Sequence, residues 1–505
     1  MQEAGIIIGA INADNASVNK ATHNILRDRF PAILYLPCAA HALQLCIRRV
    51  FATNPRALDA RKTSKQLSTH ILRSKAMRTE LRLAQEREVT AGRRERVVGV
   101  IRPNKTRWSS DYKAFDRLID LKATIIWVLN TTGSSFHLTE AYWSNVLMLS
   151  EFLKPFMIAT DIIQSDSAGL IDVYMQFDGL LKHSQAAVSS NSISVSVAAS
   201  MVGALKMYWS RHIHQQSVLA SINLSFTDVP ESELFGTRAL RGWRRWLLDW
   251  GTKFLLTHKL RFKELAKLND ESVTDRFHTQ LNAFRERIHP FEEFDSQIQQ
   301  SLESQSNASS NPVFYSHDAR LYWLDSIPLA AELSYVALVL LSINCSEASV
   351  ERSFSAQGDC HTKKRGSLLD VNVEHQIFVK LNELALQHKN IRRPLVKMRK
   401  SALLVVESSG SSASEHKDSD DEELEETERI IWDGDLGELD DEPAEDDDDD
   451  DQLKISQRMM MMTTSRKMVP AGRMYLQSLL SGIRFVKDSL SGTSLSWTEL
   501  GVAEV

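Results

Sequence analysis

Two carboxylates stand where a protein can hold a hard cation. Asp14 follows "AGIIIGAIN", an apolar run that predicts a buried strand, and Glu351 follows "INCSEASV", where Ser346 can cap the start of a helix. Ligand sites in α/β proteins favour the carboxyl ends of strands, and Mg2+ prefers oxygen ligands. Each residue also has a plain structural alternative: Asp14 as a helix cap, and Glu351 as the partner of an arginine or of a helix dipole.

Cys38 and His41 are three positions apart, so they share one face of a predicted helix. Two such residues make at most half of a tetrahedral zinc site, and no second Cys/His pair has zinc-finger spacing. We therefore expect a buried thiol and a hydrogen-bonded imidazole. The sequence contains no P-loop, no GxGxxG and no serine elbow, so these patterns predict neither a nucleotide site nor a serine hydrolase.

Residues 61–107 form a basic segment, with 14 Lys or Arg against four Glu and a net charge of +10. The segment runs into "RPNKTRWSS", where Lys105 and Arg107 can meet phosphates and Trp108 can stack on an unpaired base. A solvated helix face is the alternative explanation for the charges. We predict a surface that faces nucleic acid.

Hydrophobic patterns predict the elements that must position these side chains. Residues 4–12 and "PAILYLPC" predict two strands, and residues 38–51 carry a helical apolar stripe, which together indicate an α/β unit. Residues 113–300 are mostly helical in pattern, and residues 319–343 predict one further helix. The helix between the two strands is expected to bury one face, formed by Val18, Ala21, Ile25 and Leu26.

The charge of the 505-residue chain is divided very unevenly. Residues 415–451 hold 22 Asp or Glu against two basic residues, a local charge of −20. Because the whole chain carries −5, the other 468 residues carry +15, which attracts phosphates. Such an acidic block buries too little apolar surface to offset chain entropy, so we expect a disordered tail after about residue 396.

Cysteine content and hydropathy indicate the kind of cellular compartment in which the protein resides. Four cysteines form neither a disulfide framework nor paired metal knuckles, which favours a reducing compartment. No signal peptide and no membrane-spanning run is evident in the sequence, so no membrane partner is expected.

The motifs together resemble the hAT superfamily of DNA transposases. "NADNASVNK", "PCAAHALQL" and "RPNKTRWSS" are similar to its Asp-Asn-Ala, Cys-x-x-His and Thr-Arg-Trp motifs. "WLDSIPLAAELSYVALVLLSINCSEASVERSFSAQG" resembles its C-terminal dimerisation region and carries the Ser-Glu-Arg-x-Phe-Ser type of signature. The resemblance covers residues 5–390, and the last motif is the most specific.

The resemblance implies an α/β RNase H-like core with an incomplete sheet, interrupted by a large all-α insertion. In such enzymes three carboxylates hold two Mg2+ or Mn2+ ions for DNA cleavage and strand transfer. By motif, Asp14 would be the second carboxylate and Glu351 the third, and Arg352 would orient Glu351 or neutralise phosphate. Trp108 would stack near unpaired bases, and Cys38 and His41 would shape the wall of the active site.

The resemblance also predicts what the chain does. The family's first Asp lies on an earlier strand that this sequence does not contain, so we expect a DNA-binding, dimerising, nuclear protein with defective catalysis. The alternatives are an active transposase whose N-terminus is missing and a nuclear interaction protein acting through the acidic block, which could cover the basic surface. Dimerisation would use the helix at 333–341 and a second stripe, Val373, Ile377, Leu381 and Leu384, although periodicity alone equally allows an intrachain core. The predicted divisions are 1–112 and 313–395 for the core, 113–312 for the insertion and 396–505 for the tail.

Overall fold

The structure is a computed structural model that describes residues 7–14, 16–103, 108–165, 168–190, 195–225, 232–298, 315–348, 350 and 376. Within these ranges the chain is predominantly helical and contains one two-stranded sheet. The helical character was predicted. The RNase H-like core and the domain boundaries stay predictions.

The main elements follow one another along the chain in a mostly helical series. They are β1 (Ala10–Ala13), α1 (Ser17–Arg29), β2 (Leu34–Pro37), α2 (Ala39–Thr53), α3 (Pro55–Arg73), α4 (Lys75–Thr90), α5 (Trp108–Asp120), α6 (Lys122–Thr131), α7 (Glu140–Ile163), α8 (Leu170–Ser190), α9 (Val195–His212), α10 (Gln215–Asn223), α11 (Thr237–His258), α12 (Asp270–Glu286), α13 (Tyr315–Asp325) and α14 (Ala331–Leu341). A short 3-10 turn (Lys259–Arg261) follows α11 directly.

The sheet joins the two predicted strands in parallel. Ala10 lies opposite Leu34 and Ala13 opposite Pro37, so the carboxyl ends of β1 and β2 meet at the same edge. α1 connects the strands and α2 leaves from the end of β2, which confirms the predicted order of strand, helix, strand and helix. The edge where Asp14 emerges is therefore also the edge where α2 begins.

The apolar stripe of α2 is buried, as its spacing predicts. Its members are no more than 3% exposed and pack mainly against α9 and α3. Asn54 then starts α3, because its side chain accepts the backbone N–H groups of Arg56 and Ala57 and Pro55 fits the first helical position. The buried stripe residues are Ala39, Ala42, Leu43, Cys46, Ile47 and Val50.

The prediction of the buried face of α1 is wrong. Ile25 is 67% exposed, and Ala21 is exposed as well. The helix instead turns His23 inward, where its ring lies 5.5 Å from the ring of Tyr35, and the Tyr35 hydroxyl donates to the carbonyl of Leu26 over 3.2 Å. A ring contact with β2 thus takes the place of aliphatic packing.

The prediction of one helix over 319–343 is also wrong, because two helices, α13 and α14, occupy this stretch. Pro328 lies in the turn between them, where it supplies no backbone N–H and disfavours helical geometry in the residue before it. The residues predicted at core spacing in α14 are at most 2% exposed, and the helix packs against α10, α11, α12 and α13.

The burial of most of α14 agrees with the intrachain core that its periodicity equally allowed. The other predicted stripe, from Val373 to Leu384, lies outside the described residues. In the described part of the chain, no helix combines the length and apolar character needed to cross a membrane.

Candidate functional site

Asp14 lies just beyond the end of β1, and its carboxylate organises the start of α1. Its Oδ1 atom accepts the backbone N–H of Ala16 over 2.9 Å and the side-chain amide of Asn19 over 2.6 Å. The capping role considered in the sequence is not present, because the N-cap residue of α1 is Ala16 and no side chain caps the helix. The turn that Asp14 forms instead leaves its second carboxylate oxygen as the candidate ligand atom at this edge.

A segment more than 300 residues away in sequence returns to the same edge. The backbone N–H of Ala39 donates to the carbonyl of Cys345 over 2.9 Å, and the side-chain amide of Asn12 donates to the carbonyl of Asn344. Further back along β1, glycine is required at position 9, since a Cβ there would collide with Cγ1 of Val339. The end of α14 and the turn after it thus lie directly against β1 and the start of α2.

Asn344 is the hub of this junction, although it was not among the predicted site residues. Its side-chain oxygen accepts the backbone N–H of Ser346 over 2.9 Å, and its amide donates to the carbonyl of Ser165 at the end of α7 over 3.4 Å. One residue therefore contacts β1, the long helical stretch and the returning segment. Its local turn had a signal in the sequence, since asparagine commonly bonds the backbone two residues ahead.

The returning segment then starts a new helical turn. Ser346 Oγ accepts the backbone N–H of Ala348 over 3.2 Å, which agrees with its predicted capping role. Glu351 and Arg352 come next in the sequence but lie outside the described residues, so their predicted roles stay predictions.

Cys38 lies between the returning segment and the first turn of α2. Burial raises the pKa of its thiol to about 12, while the backbone N–H groups of Glu347, His41 and Ala40 act in the opposite direction. Burial also raises the pKa of Cys345, and the carboxylate of Asp172 and the thiol of Cys38 raise it further. Both thiols are therefore protonated at neutral pH, a form that is neither nucleophilic nor metal-binding.

His41 is half-buried in the first turn of α2 and interacts with a neighbouring group. It comes three positions after Cys38, the N-cap residue of α2. The role of this pair in an active site stays a prediction.

Trp108 opens α5 and is only 2% exposed, within the main hydrophobic core. The ring would have to leave this core before it could stack on a base. Lys105 and Arg107, which were predicted to meet phosphates, lie outside the described residues.

A buried ion pair anchors α5 to α3. Asp111 is 1% exposed and accepts Arg61 Nε over 2.9 Å. Burial raises the pKa of Asp111, and the guanidinium of Arg61 opposes that shift. Arg61 was predicted to belong to the basic surface, but its charge is used inside the molecule.

Other basic side chains of the segment do face solvent. α3 and α4 fill most of the segment, and Lys62, Lys75 and Arg93 are exposed. Arg94 instead bonds the carboxylates of Glu88 and Asp120. The exposed side chains form the described part of the predicted nucleic-acid surface.

The implied Mg2+ has only part of a site among the described residues. Asp14 offers the right donor chemistry, but one of its oxygens already accepts two hydrogen bonds. No group of three Asp, Glu, His or Cys side chains in the described ranges is arranged to bind a metal. These residues by themselves do not make a magnesium centre.

The described part of the chain is predominantly helical, with a single two-stranded parallel sheet at whose edge the segment after α14 is hydrogen-bonded. Residues 308–383 match the family model of the hAT family C-terminal dimerisation region. This match supports an hAT-family transposase-related protein, and the matched region supports formation of a homodimer. No curated protein matches the chain.

Proposed function

We propose that the protein is an hAT transposase-derived nuclear protein that binds DNA as a dimer, with an RNase H-like core as its scaffold. The observation that carries the proposal is the junction between Asn12 and Asn344, since it brings the strand-end Asp14 next to the segment that leads into Glu351. This is the arrangement that the family resemblance requires of its second and third carboxylates. The matched dimerisation region supports the other part of the proposal, that the protein acts as a dimer.

DNA binding is assigned to the basic segment 61–107. Neutralising three exposed charges there, in the triple variant Lys62→Gln, Lys75→Gln and Arg93→Gln, removes up to three phosphate contacts. The slope of log K against log salt for duplex DNA should then fall by about 2–3. Fluorescence anisotropy with a labelled duplex between 50 and 200 mM salt, in steps of about 50 mM, measures this slope.

The matched control neutralises three exposed basic residues on α7, α8 and α9: Lys154, Lys182 and Arg211. This variant carries the same net charge as the first, so an equal loss of affinity in both would indicate attraction by overall charge alone. The proposal requires that the 61–107 variant loses affinity for DNA and that the control variant does not lose it equally.

Catalysis is tested separately. Of the family's three metal-binding carboxylates, two have counterparts in this 505-residue chain, Asp14 and Glu351. We therefore expect the chain by itself to hold Mg2+ or Mn2+ weakly and to leave DNA intact. Purified protein is incubated with supercoiled plasmid and either metal. Cleavage that disappears in both Asp14→Ala and Glu351→Ala would establish the active transposase instead.

A further inference from the structure

Trp127 lies on the outer face of α6, the helix that packs against α4. Its side chain is 39% exposed, and the neighbouring Ile126 is 38% exposed. Five other tryptophans of the described residues are at most 3% exposed: Trp108, Trp143, Trp209, Trp250 and Trp323. The fold therefore buries those rings in its core but leaves the ring of Trp127 at the surface.

An arginine of α4 lies beside this ring. Arg87 Cζ is 5.8 Å from the centroid of the Trp127 ring, within the range of a cation–π interaction. One turn earlier on α6, the hydroxyl of Thr124 donates to Oε1 of Glu88 over 3.4 Å. These two contacts hold the ring against the C-terminal end of α4, which belongs to the basic segment 61–107.

The charge of Arg87 is available to a ligand. The glutamate before it, Glu86, pairs with Arg82, and the glutamate after it, Glu88, pairs with Arg94. Arg87 is exposed and forms no salt bridge with another described residue. The surface beside Trp127 thus combines an exposed aromatic ring with an unpaired guanidinium, in a segment with a net charge of +10.

This combination distinguishes between possible partners. In a duplex the bases stack on one another, so a duplex offers phosphates to Arg87 but no base face to the ring. A second copy of this chain would bring another positively charged body, since the residues outside 415–451 carry +15. A single strand offers both an unpaired base for the ring and a phosphate for the guanidinium, and aromatic stacking beside basic side chains is how proteins commonly bind such strands.

We propose that Trp127 and Arg87 form a stacking site for an unpaired base of single-stranded DNA. The base lies on the indole ring, and the phosphates next to it contact Arg87 and the exposed basic side chains of the segment 61–107. This inference rests on the proposed function, DNA binding by that segment, and it names single strands as a ligand class of the same surface. Because an intact duplex gains little from the ring, Trp127 gives the surface its affinity for unpaired DNA.

The test measures the affinity of the full chain for two labelled probes, an oligothymidylate of about 15 nucleotides and a duplex of the same length, by fluorescence anisotropy. W127L removes the ring but keeps an apolar side chain on α6. It should lower the affinity for oligothymidylate about tenfold and change the affinity for the duplex by less than about twofold. W127F keeps a ring and should bind oligothymidylate within about threefold of the wild type.

Phe30 supplies a matched control outside the basic segment. It is 44% exposed, and Arg29 Cζ lies 5.7 Å from the centroid of its ring, so this pair has the same chemistry as the proposed site. The turn that holds it packs against α11, where Nε1 of Trp250 donates to the carbonyl of Ala32 over 3.1 Å. F30L should keep its affinity for both probes within about twofold of the wild type. A loss of oligothymidylate binding equal to that of W127L would overturn the assignment to Trp127.

Photocrosslinking tests the contact in the unmodified protein. Iododeoxyuridine placed in the single strand reacts under ultraviolet light with an aromatic side chain stacked on it, and mass spectrometry of the tryptic digest locates the modified residue. Trp127 should be the main aromatic residue crosslinked. Crosslinks at other aromatic residues and none at Trp127 would overturn the proposal.

The outcomes separate this inference from the proposed function. If the wild type binds both probes and W127L weakens neither, or weakens both equally, the stacking site is wrong while DNA binding by the segment stands. If the wild type binds neither probe, both proposals fail. If W127L weakens the homodimer in sedimentation equilibrium and leaves both DNA affinities unchanged, the ring contacts a second copy and the stacking site is overturned.

Discussion

The backbone N–H of Ala39 donates to the carbonyl of Cys345 over 2.9 Å, which ties the first residue of α2 to the turn after α14. The side chain of Asn12 donates to the next carbonyl back, that of Asn344, from the neighbouring strand. These bonds close a loop of more than 300 residues at one sheet edge. They fix where the residues after Ala348 must start, and so they bear directly on the predicted position of Glu351.

Asn12→Ala should weaken this junction. The variant leaves the carbonyl of Asn344 without its side-chain donor, at a cost of about 1–3 kcal/mol in the free energy of unfolding. Hydrogen exchange should also speed up at the amide of Ala39. Asn24→Ala on the exposed face of α1 is the control and should stay within about 0.5 kcal/mol in urea unfolding. Equal stability of both variants would mean that the junction is not held by Asn12.

Gly251 marks a close approach of three helices. A Cβ there would lie 2.6 Å from Cζ of Phe277 on α12 and 3.4 Å from Cγ1 of Val336 on α14. Gly251→Ala should therefore cost about 1–3 kcal/mol through overpacking. Gly242→Ala on the same helix meets nothing within 4 Å and should gain up to about 1 kcal/mol from helix propensity. Melting curves of the two variants should move in opposite directions.

His214 makes stability depend on pH. Its Nδ1 atom caps α10 by accepting the N–H of Ser217 over 3.3 Å, and burial together with Arg27 lowers its pKa to about 4. The unfolded chain takes up this proton near pH 6.5 and the folded chain only near pH 4, so folding loses stability as the pH falls between these values. We expect this loss to be about 1–2 kcal/mol between pH 7 and 4.5, after allowance for partial exposure.

The variant His214→Asn isolates this effect, because asparagine keeps a capping oxygen but does not titrate. Its unfolding free energy should fall less than that of the wild type over the same pH range. Parallel pH profiles for the two proteins would show that another group causes the acid sensitivity.

Substitutions of Trp108 distinguish a structural role in the hydrophobic core from stacking on a DNA base. Because the ring is buried, Trp108→Ala should cost about 3–5 kcal/mol in stability, and Trp108→Phe clearly less. Trp108→Phe should bind a duplex with an unpaired base as tightly as the wild type. If this variant keeps full stability but binds such DNA at least tenfold more weakly, the ring acts on DNA rather than in the core.

Local sequence patterns correctly predicted those elements whose buried face is set by their own sequence. The stripe of α2 and the two strands were found because regular spacing and a terminal proline specify them locally. The face of α1 was mispredicted because His23 packs on Tyr35, a choice that depends on another element. The break between α13 and α14 coincides with a single residue, Pro328, which interrupts an otherwise continuous helical pattern.

The candidate site was predictable only in part. The strand-end position of Asp14 follows from sequence. Its expected helix cap does not form, because Asp14 lies two residues before the N-cap Ala16 and bonds the backbone N–H of that residue. The turn at Asn344 has a local signal, but its role as a hub depends on contacts with residues 332 and 179 positions away. Likewise the ion pair of Arg61 with Asp111 is tertiary, and charge counting alone assigned Arg61 to the surface.

We predict that the dimer surface of the matched region includes exposed apolar residues outside the largely buried helix α14. Its exposed apolar residues are better candidates: Leu321 on α13, 43% exposed, and Leu329 in the following turn, 63% exposed. Leu321→Glu with Leu329→Glu should weaken the homodimer at least tenfold, because each buries a charge in an apolar contact. Leu147→Glu on α7, where the leucine is 42% exposed, is the matched control and should leave the dimer intact. Sedimentation equilibrium at micromolar concentration measures all three proteins, and a wild type that sediments as a monomer would refute the dimer itself.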